Sequence, residues 1–160
     1  MSKIQCYCGS ESPFLECCER FLNQKNKPKI AEQLMRSRFS AFCLTDYQYL
    51  INTKHPSKRS VNELVELQQS GEQTIWVQLT ILNTHLGLDD HNSGSVTFSA
   101  LFNEQGQFYE LTEQSNFIKE RSQWYYLDGK HTVQRTNMKF KRNAPCWCHS
   151  GKKIKHCHKT

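Results

Sequence analysis

A chain of 160 residues, of which 37% are hydrophobic, is long enough for one domain with a buried core and small appendages, and this composition excludes a disordered chain. No stretch approaches the roughly 18 consecutive apolar residues of a membrane-spanning helix, and the sequence MSKIQCYC lacks the apolar region of a secretory signal. We therefore expect a cytoplasmic protein, in which the eight cysteines stay reduced and indicate metal binding rather than disulfides.

Charge is distributed unevenly along the chain. The formal net charge is +6, and residues 130–160 hold nine lysines and arginines and no acidic residue. Taking these nine charges away leaves −3 for residues 1–129. The carboxyl-terminal segment is therefore a candidate surface for an anionic partner.

The first half of the chain is predicted to be helical. A cysteine-rich module occupies residues 1–22, and the polar segment 23–29 is predicted to be a linker. Apolar residues at helical spacing over residues 30–52 predict one long amphipathic helix. A second, shorter helix is predicted to begin at Ser60, where Ser60 and Glu63 form a capping-box pattern.

The second half changes to alternating apolar residues, which predict β-strands. Strands are predicted over residues 74–84, 94–104, 107–117 and 123–129. The turn sequences NEQG and DG fit an antiparallel meander, so helices followed by a curved sheet predict an α+β roll over residues 29–131. The basic segment 132–143 is predicted to be a linker to a carboxyl-terminal module, residues 144–160.

The two ends of the chain carry the same small cysteine pattern, offset by 140 residues. Each copy has a Cys-x-Cys pair followed by an adjacent pair of ligands. The predicted ligands are Cys6, Cys8, Cys17 and Cys18 at one site, and Cys146, Cys148, Cys157 and His158 at the other. Zinc accepts cysteine and histidine interchangeably in tetrahedral sites, so the sequence predicts two zinc ions per chain.

Other interpretations of the cysteines remain open. They could be ordinary reduced thiols, a redox dithiol formed by one of the pairs, or part of a catalytic zinc site. The duplicated spacing argues against the first, and four protein ligands leave no open position for the third. Cys43 lies on the apolar face of the predicted long helix and is interpreted as a core residue, whereas His156 is interpreted as a solvated basic residue.

Two resemblances follow from these residues. Both modules resemble the SEC-C motif, the zinc knuckle of the translocation ATPase SecA, and NAPCWCHSGKKIKHCH is the closer copy. The middle resembles the YchJ-like family of small bacterial proteins in AEQLMRSRFSAF, ELTEQSNF and WYYLDG. The resemblance implies a cystatin-like, nuclear-transport-factor-2-like roll flanked by two zinc knuckles, and it carries over no established activity. Where that family usually has Glu-Arg-Ser-Arg-Phe, residues 113–117 read Glu-Gln-Ser-Asn-Phe.

The residues favour a binding module. The carboxyl-terminal knuckle is expected to dock on an anionic partner through Lys141, Arg142, Lys152, Lys153 and Lys155. The partner would be an acidic protein, the ribosome or another RNA, or an anionic lipid. The resemblance to SecA implies a protein partner. Alternatively, the lysines only keep a small tail soluble. A homodimer formed through the sheet is a further expectation.

The alternative function is a small-molecule-binding or enzymatic roll with accessory knuckles. Its candidate polar groups are Arg36, Arg38, His55, Tyr109, Glu113 and Tyr125. Among the catalytic candidates Glu113, Arg36 and His55, Glu113 would be the base, and Arg36 or a tyrosine would be the electrophile. A simpler interpretation is an ion pair from Arg36 or Arg38 to Glu113, with no substrate involved.

Overall fold

The computed structural model describes residues 4–158, in which helices precede a four-stranded antiparallel sheet. The helices are α1 (Glu19–Leu22), α2 (Ala31–Leu44), α3 (Tyr47–Asn52) and α4 (Glu63–Gly71), and the strands are β1 (Thr74–Leu86), β2 (Ser93–Glu104), β3 (Gln107–Glu120) and β4 (Gln123–Thr136). The strands pair in chain order. The predicted α+β roll is confirmed, and no helix within residues 4–158 is long and apolar enough to cross a membrane.

The prediction of a single helix over residues 30–52 is wrong, because the segment forms two helices. Helix α2 ends at Leu44, because the next residue, Thr45, has a φ of 56° in the left-handed region. Helix α3 begins at once, because the Asp46 side chain accepts a hydrogen bond from the Tyr49 backbone N–H at 3.0 Å. The turn redirects the chain so that Tyr49 and Leu50 are both buried.

Helix α4 begins at Glu63 and not at the predicted Ser60. The Glu63 carboxylate still accepts a hydrogen bond from the Ser60 backbone N–H at 3.1 Å, as in a capping box. The Ser60 hydroxyl, however, accepts from the Asn62 N–H at 3.1 Å. Both side chains therefore stabilise the turn before the helix.

Strand β4 extends beyond the predicted roll. Residues 132–136, predicted to be part of a linker, continue the ladder with β3, in which Leu111 faces Val133 and Phe108 faces Thr136. Most side chains of this stretch are exposed, so the sequence shows no apolar alternation there. The backbone pairs with β3 all the same, because a strand needs its partner's hydrogen bonds and not a buried face.

The core lies between helix α2 and the inner face of the sheet. Its main apolar members are Leu34, Phe39, Val96, Phe98, Ala100, Phe117 and Trp124. Fully burying a leucine or phenylalanine side chain contributes about 1.5–3 kcal/mol, so this layer supplies most of the driving force for folding. The indole N–H of Trp124 donates to the Lys29 carbonyl at 2.8 Å, which fixes the start of α2 against β4.

Candidate metal centres and the cavity of the roll

Residues 4–18 and residues 144–158, the first and second knuckle, have the same backbone fold. Each contains one antiparallel bridge and one 3-10 turn. The bridges join Gln5 to Pro13 and Pro145 to Lys153, and the turns are Phe14–Glu16 and Ile154–His156. The backbone hydrogen bond from Cys6 to Ser12 (2.9 Å) recurs from Cys146 to Lys152 (2.7 Å). The repeat in the sequence is therefore also a repeat in three dimensions.

Two positions of the knuckle take the left-handed backbone conformation. The first position is Gly9 (φ 73°) in the first knuckle and His149 (φ 62°) in the second. The other position is Glu11 (φ 60°) in the first knuckle and Gly151 (φ 76°) in the second. A residue other than glycine costs roughly 1 kcal/mol in this region. Each copy thus has one glycine and one strained residue, and His149 gains a contact in return, because its Nε2 donates to the Trp76 carbonyl at 2.9 Å.

The four ligand atoms of the first knuckle lie within 4.8 Å of one another. The Cys17 sulfur is 3.7 Å from that of Cys8 and 3.9 Å from that of Cys18. Zinc–sulfur bonds of about 2.3 Å set a tetrahedral sulfur–sulfur edge of about 3.8 Å, whereas a disulfide needs about 2.05 Å. The spacing fits four thiolates around one metal ion.

The second knuckle gives the same result with one nitrogen ligand. The Cys148 sulfur is 3.5 Å from those of Cys146 and Cys157, and His158 Nδ1 is 3.1 Å from the Cys146 sulfur. All four ligand atoms again lie within 4.8 Å of one another. Three thiolates and one imidazole are a common donor set for structural zinc, so both clusters could hold a metal ion.

A serine hydroxyl supports one thiol in each knuckle. Ser10 Oγ lies 3.2 Å from the Cys17 sulfur, and Ser150 Oγ donates to the Cys157 sulfur at 3.3 Å. Hydrogen bonds to coordinating atoms orient ligands and tune a metal site. The two serines occupy equivalent positions, so the outer contacts of the ligands are duplicated as well.

The pKa values of two cysteines of the first knuckle are shifted in opposite directions. The pKa of Cys8 is lowered, chiefly by hydrogen bonds from Cys18 and then Cys6, and the pKa of Cys18 is raised by its hydrogen bonds to Cys6 and Cys8. The thiolate is the form that binds metal. These hydrogen bonds therefore favour the thiolate form of the buried Cys8.

The first knuckle is built into the core of the roll. Cys6, Cys8 and Cys18 are buried in the same cluster as the inner face of α2. Helix α2 also contacts this knuckle through polar groups, because Ser40 Oγ lies 3.7 Å from the Cys6 sulfur and Arg36 Nη1 donates to the Cys8 carbonyl at 2.8 Å. The amino-terminal module is therefore a part of the roll and not a separate appendage.

The second knuckle lies at the periphery. Of its four ligand residues only Cys146 is buried. The knuckle is attached to the sheet through the Trp147 ring, whose centroid lies 5.1 Å from that of Phe108 of β3. Within the knuckle, the same ring lies 4.3 Å from His158. Tyr7 of the first knuckle meets His149 at 5.1 Å, so the two knuckles also touch each other.

A cavity of about 290 Å³ lies between helices α2 and α4 and the inner face of the sheet. Of the candidate polar residues, Arg38 and Glu113 line it. The others are elsewhere: Arg36 contacts the first knuckle, His55 bonds Ser57, Tyr109 stacks on Phe102, and Tyr125 packs on His55. The structure thus brings together one arginine and one carboxylate from that set.

The prediction of an ion pair from Arg36 or Arg38 to Glu113 is wrong, because both arginines bind other groups. Arg36 pairs with Glu32 one turn earlier at 2.9 Å. Arg38 instead donates to two neutral oxygens, the Leu50 carbonyl and the Thr53 hydroxyl, both at 2.7 Å. The arginine is thus used to join α2 to α3 and not to reach the sheet.

Sequence reasoning missed five polar residues of the cavity: Lys54, Glu63, Ser115, Tyr126 and His131. One signal could have identified Tyr126. Trp124 faces the core, and alternation along β4 then turns Tyr126 inward and Tyr125 outward. Lys54 and Glu63 come from loop and helix-end positions, for which no periodicity exists.

The fold and the two ligand clusters define a nuclear-transport-factor-2-like protein with SEC-C-type knuckles. Residues 30–129 match the family described as YchJ, middle NTF2-like domain, and residues 142–159 match the SEC-C motif. The chain belongs to the YchJ family.

Known relatives agree with this assignment. A UPF0225 protein of Vibrio cholerae serotype O1 is 38% identical over 154 residues, which cover 96% of this chain and 99% of that one. A SEC-C motif containing protein from Rhodopseudomonas palustris superposes with a TM-score of 0.73 at 29% identity, over 79% of this chain and 98% of that one. One from Psychrobacter arcticus shares the fold at 24% identity, with a TM-score of 0.65 over 96% and 94% of the two chains.

Proposed function

We propose that the chain is a zinc-binding interaction protein whose second knuckle docks on an anionic partner. The observation that carries this proposal is a set of lysine and arginine side chains, most of them exposed, in and just before the second knuckle. Lys152 and Lys153 are exposed between the two ligand pairs, Lys155 follows at a half-buried position, and Lys141 and Arg142 are exposed just before the knuckle. No acidic residue lies between position 129 and the end of the chain.

The first knuckle has the opposite character. Its loop carries exposed Glu11 and Glu16 and no base, and three of its cysteines are buried in the core. Four thiolates around Zn²⁺ sum to −2, whereas three thiolates and a neutral histidine sum to −1. Burial and charge therefore support a structural role for the first knuckle and a docking role for the second.

The contacts of the second knuckle support docking as a rigid unit. Trp147 and His149 join it to the sheet, and Ile154 is 1% exposed at its centre. A single exposed ion pair contributes only about 0–1 kcal/mol. Several lysines held in one orientation act together, raise the association rate and make binding depend on salt.

The test measures binding of the zinc-loaded full chain to two defined probes, single-stranded poly-uridylate and poly-glutamate, across a salt series. The variant Lys152→Glu/Lys153→Glu/Lys155→Glu should lose at least tenfold in affinity for the probe that binds. The matched control reverses three exposed lysines of the 23–29 segment, Lys25, Lys27 and Lys29, and should bind as the wild type does.

The salt dependence identifies the partner class. A steep fall of affinity with salt on poly-uridylate indicates RNA, because each neutralised phosphate releases counterions. Binding confined to poly-glutamate indicates an acidic protein. If both triple variants lose the same affinity, or if neither probe binds the wild type, the lysines are a solvated surface and the proposal is wrong.

A further inference from the structure

The cavity of the roll combines an aromatic wall with a polar end. The wall is formed by Phe39 and Phe42 of α2, Trp76 of β1, Phe98 of β2 and Leu111 of β3. The polar end contains Arg38, Glu113 and Tyr126. At about 290 Å³ the cavity has the size of the smallest ligand pockets, room for on the order of ten non-hydrogen atoms.

Arg38 is a buried cation without an anionic partner. Its side chain is 7% exposed, and its guanidinium lies 4.7 Å above the Tyr126 ring. Both of its hydrogen bonds leave from Nη1, so Nε and Nη2 have no acceptor within residues 4–158. Burial lowers the pKa of Arg38 to about 10, which leaves the group charged at neutral pH. A buried charge of this kind is stabilised when an anion pairs with it.

Glu113 of strand β3 is the anionic residue at the same polar end of the cavity. Its Oε1 accepts hydrogen bonds from Ser115 Oγ at 2.8 Å and from the Tyr126 hydroxyl at 3.1 Å. Burial and the neighbouring carboxylate raise the pKa of Tyr126, so this phenol stays a donor. The nearest cationic candidate for Oε2 is His131, 4.0 Å away and mostly exposed. The carboxylate is thus oriented by two neutral hydroxyl donors.

The remaining charged pair of the cavity is already neutralised. Lys54 Nζ lies 2.6 Å from Glu63 Oε1, and both side chains are largely buried. The cavity is therefore left with one unpaired positive group, Arg38, and one negative group, Glu113, whose hydrogen bonds come from hydroxyls. A ligand with a single charge would leave one of them unmatched, whereas a dipolar ion matches both.

We propose that this cavity binds a small zwitterion of the apolar α-amino-acid class, with its carboxylate on Arg38, its ammonium on Glu113 and its side chain against the aromatic wall. The charge balance selects the dipolar head group. The aromatic lining selects an apolar side chain, and the volume limits that side chain to the size of leucine or slightly larger.

The first experiment uses the zinc-loaded full chain and four probes measured by calorimetry. The probes are L-leucine, isocaproate (the same molecule without the amine), isoamylamine (without the carboxylate) and glycine. L-leucine should bind, and each of the other three should bind about tenfold or more weakly, since each lacks one contact to a charged group or to the wall. Equal binding of isocaproate, or no binding of L-leucine at about 10 mM, would overturn the proposal.

Variants then assign the two contacts. Glu113→Gln should weaken L-leucine about tenfold and leave isocaproate unchanged, and Arg38→Gln should weaken L-leucine and leave isoamylamine unchanged. A merely structural role would weaken all probes together, and that outcome counts against the assignment. The matched controls are Glu110→Gln and Arg135→Gln. The Glu110 carboxylate accepts a hydrogen bond from Ser99 on the other face of β3, and Arg135 is exposed on β4. Should Arg38→Gln fail to fold, the wild-type probe series and Glu113→Gln still decide.

Discussion

Gly129 of strand β4 lies directly against the carboxylate of Glu113 on strand β3. A Cβ atom at position 129 would stand 2.1 Å from Glu113 Oε1, which is far inside van der Waals contact. A side chain at position 129 would therefore force the Glu113 carboxylate to move. The missing side chain of Gly129 leaves the space in which the Glu113 carboxylate reaches Ser115 and Tyr126.

Gly129→Ala should displace that carboxylate and break its two hydrogen bonds. We expect a loss of about 1.5–3 kcal/mol in the free energy of unfolding, the range for a hydrogen bond to a charged group, measured by urea denaturation. The control is Gly129→Ala combined with Glu113→Ala. If the clash causes the loss, the double variant is no less stable than Glu113→Ala alone, and simple additivity of the two effects contradicts the explanation.

Two zinc ions should be found per chain in protein purified without chelator, as measured by elemental analysis. Cys8→Ser and Cys148→Ser, which change equivalent ligands of the two knuckles, should each reduce the content to one ion. Protein with no metal and with every thiol freely titratable would contradict the assignment of both centres.

The same two variants should differ in their effect on stability. Cys8 is 0% exposed in the core, so its loss should lower the free energy of unfolding of the roll by about 3 kcal/mol or more. Cys148 lies in the peripheral knuckle, so Cys148→Ser should leave the unfolding of the roll within about 0.5 kcal/mol of the wild type. Urea denaturation followed by circular dichroism makes the comparison, and equal losses would show that the second knuckle is also a part of the core.

Tyr49 should make the protein less stable in alkali. Burial raises the pKa of Tyr49 to about 12, so above pH 10 the unfolded chain loses this proton while the folded chain keeps it. The unfolded state then binds fewer protons, and stability falls as the pH rises from about 10 to about 12, by roughly 2–3 kcal/mol for this group.

Tyr49→Phe should remove that part of the alkaline loss. The substitution leaves Ser37 satisfied, because its hydroxyl still donates to the Leu34 carbonyl at 3.0 Å. Tyr125→Phe, which changes a partly exposed tyrosine, is the control and should keep the wild-type slope in urea titrations between pH 9 and pH 12. A wild-type slope in Tyr49→Phe would assign the loss to other groups.

The fold could be predicted because it follows from patterns that are local in the sequence. The alternation of apolar and polar residues located the four strands. The 140-residue offset between the two cysteine patterns is enough by itself to show that Cys6 and Cys146 occupy equivalent positions. The break between α2 and α3 was not predicted, because the apolar spacing continues through Thr45 and Asp46. Only the Asp46 cap marks the new helix, and capping residues also occur within helices.

The sites were predictable to different degrees. Metal ligands are recognisable because zinc restricts residue type and spacing so strongly. The cavity was predictable only in part, because Arg38 and Glu113 were among the candidate polar residues and Tyr126 was not. These three residues come from separate elements, so their contacts with one another could not be read from the sequence. The burial of the first knuckle also escaped prediction, because a zinc loop has the same polar sequence whether its sulfurs face water or α2.

The positions of the knuckles along β1 have a consequence for solubility. Strand β1 is at the edge of the sheet, and His149 donates a hydrogen bond to its carbonyl at Trp76. Gly9 lies so close to the Leu79 carbonyl that a Cβ atom on it would stand 2.9 Å from that oxygen. The two knuckles thus shield part of an edge that would otherwise present unpaired backbone groups to other chains. Removing the metal would uncover this edge, so chelated protein should associate strand to strand, which light scattering would detect as a rise that begins when zinc is withdrawn.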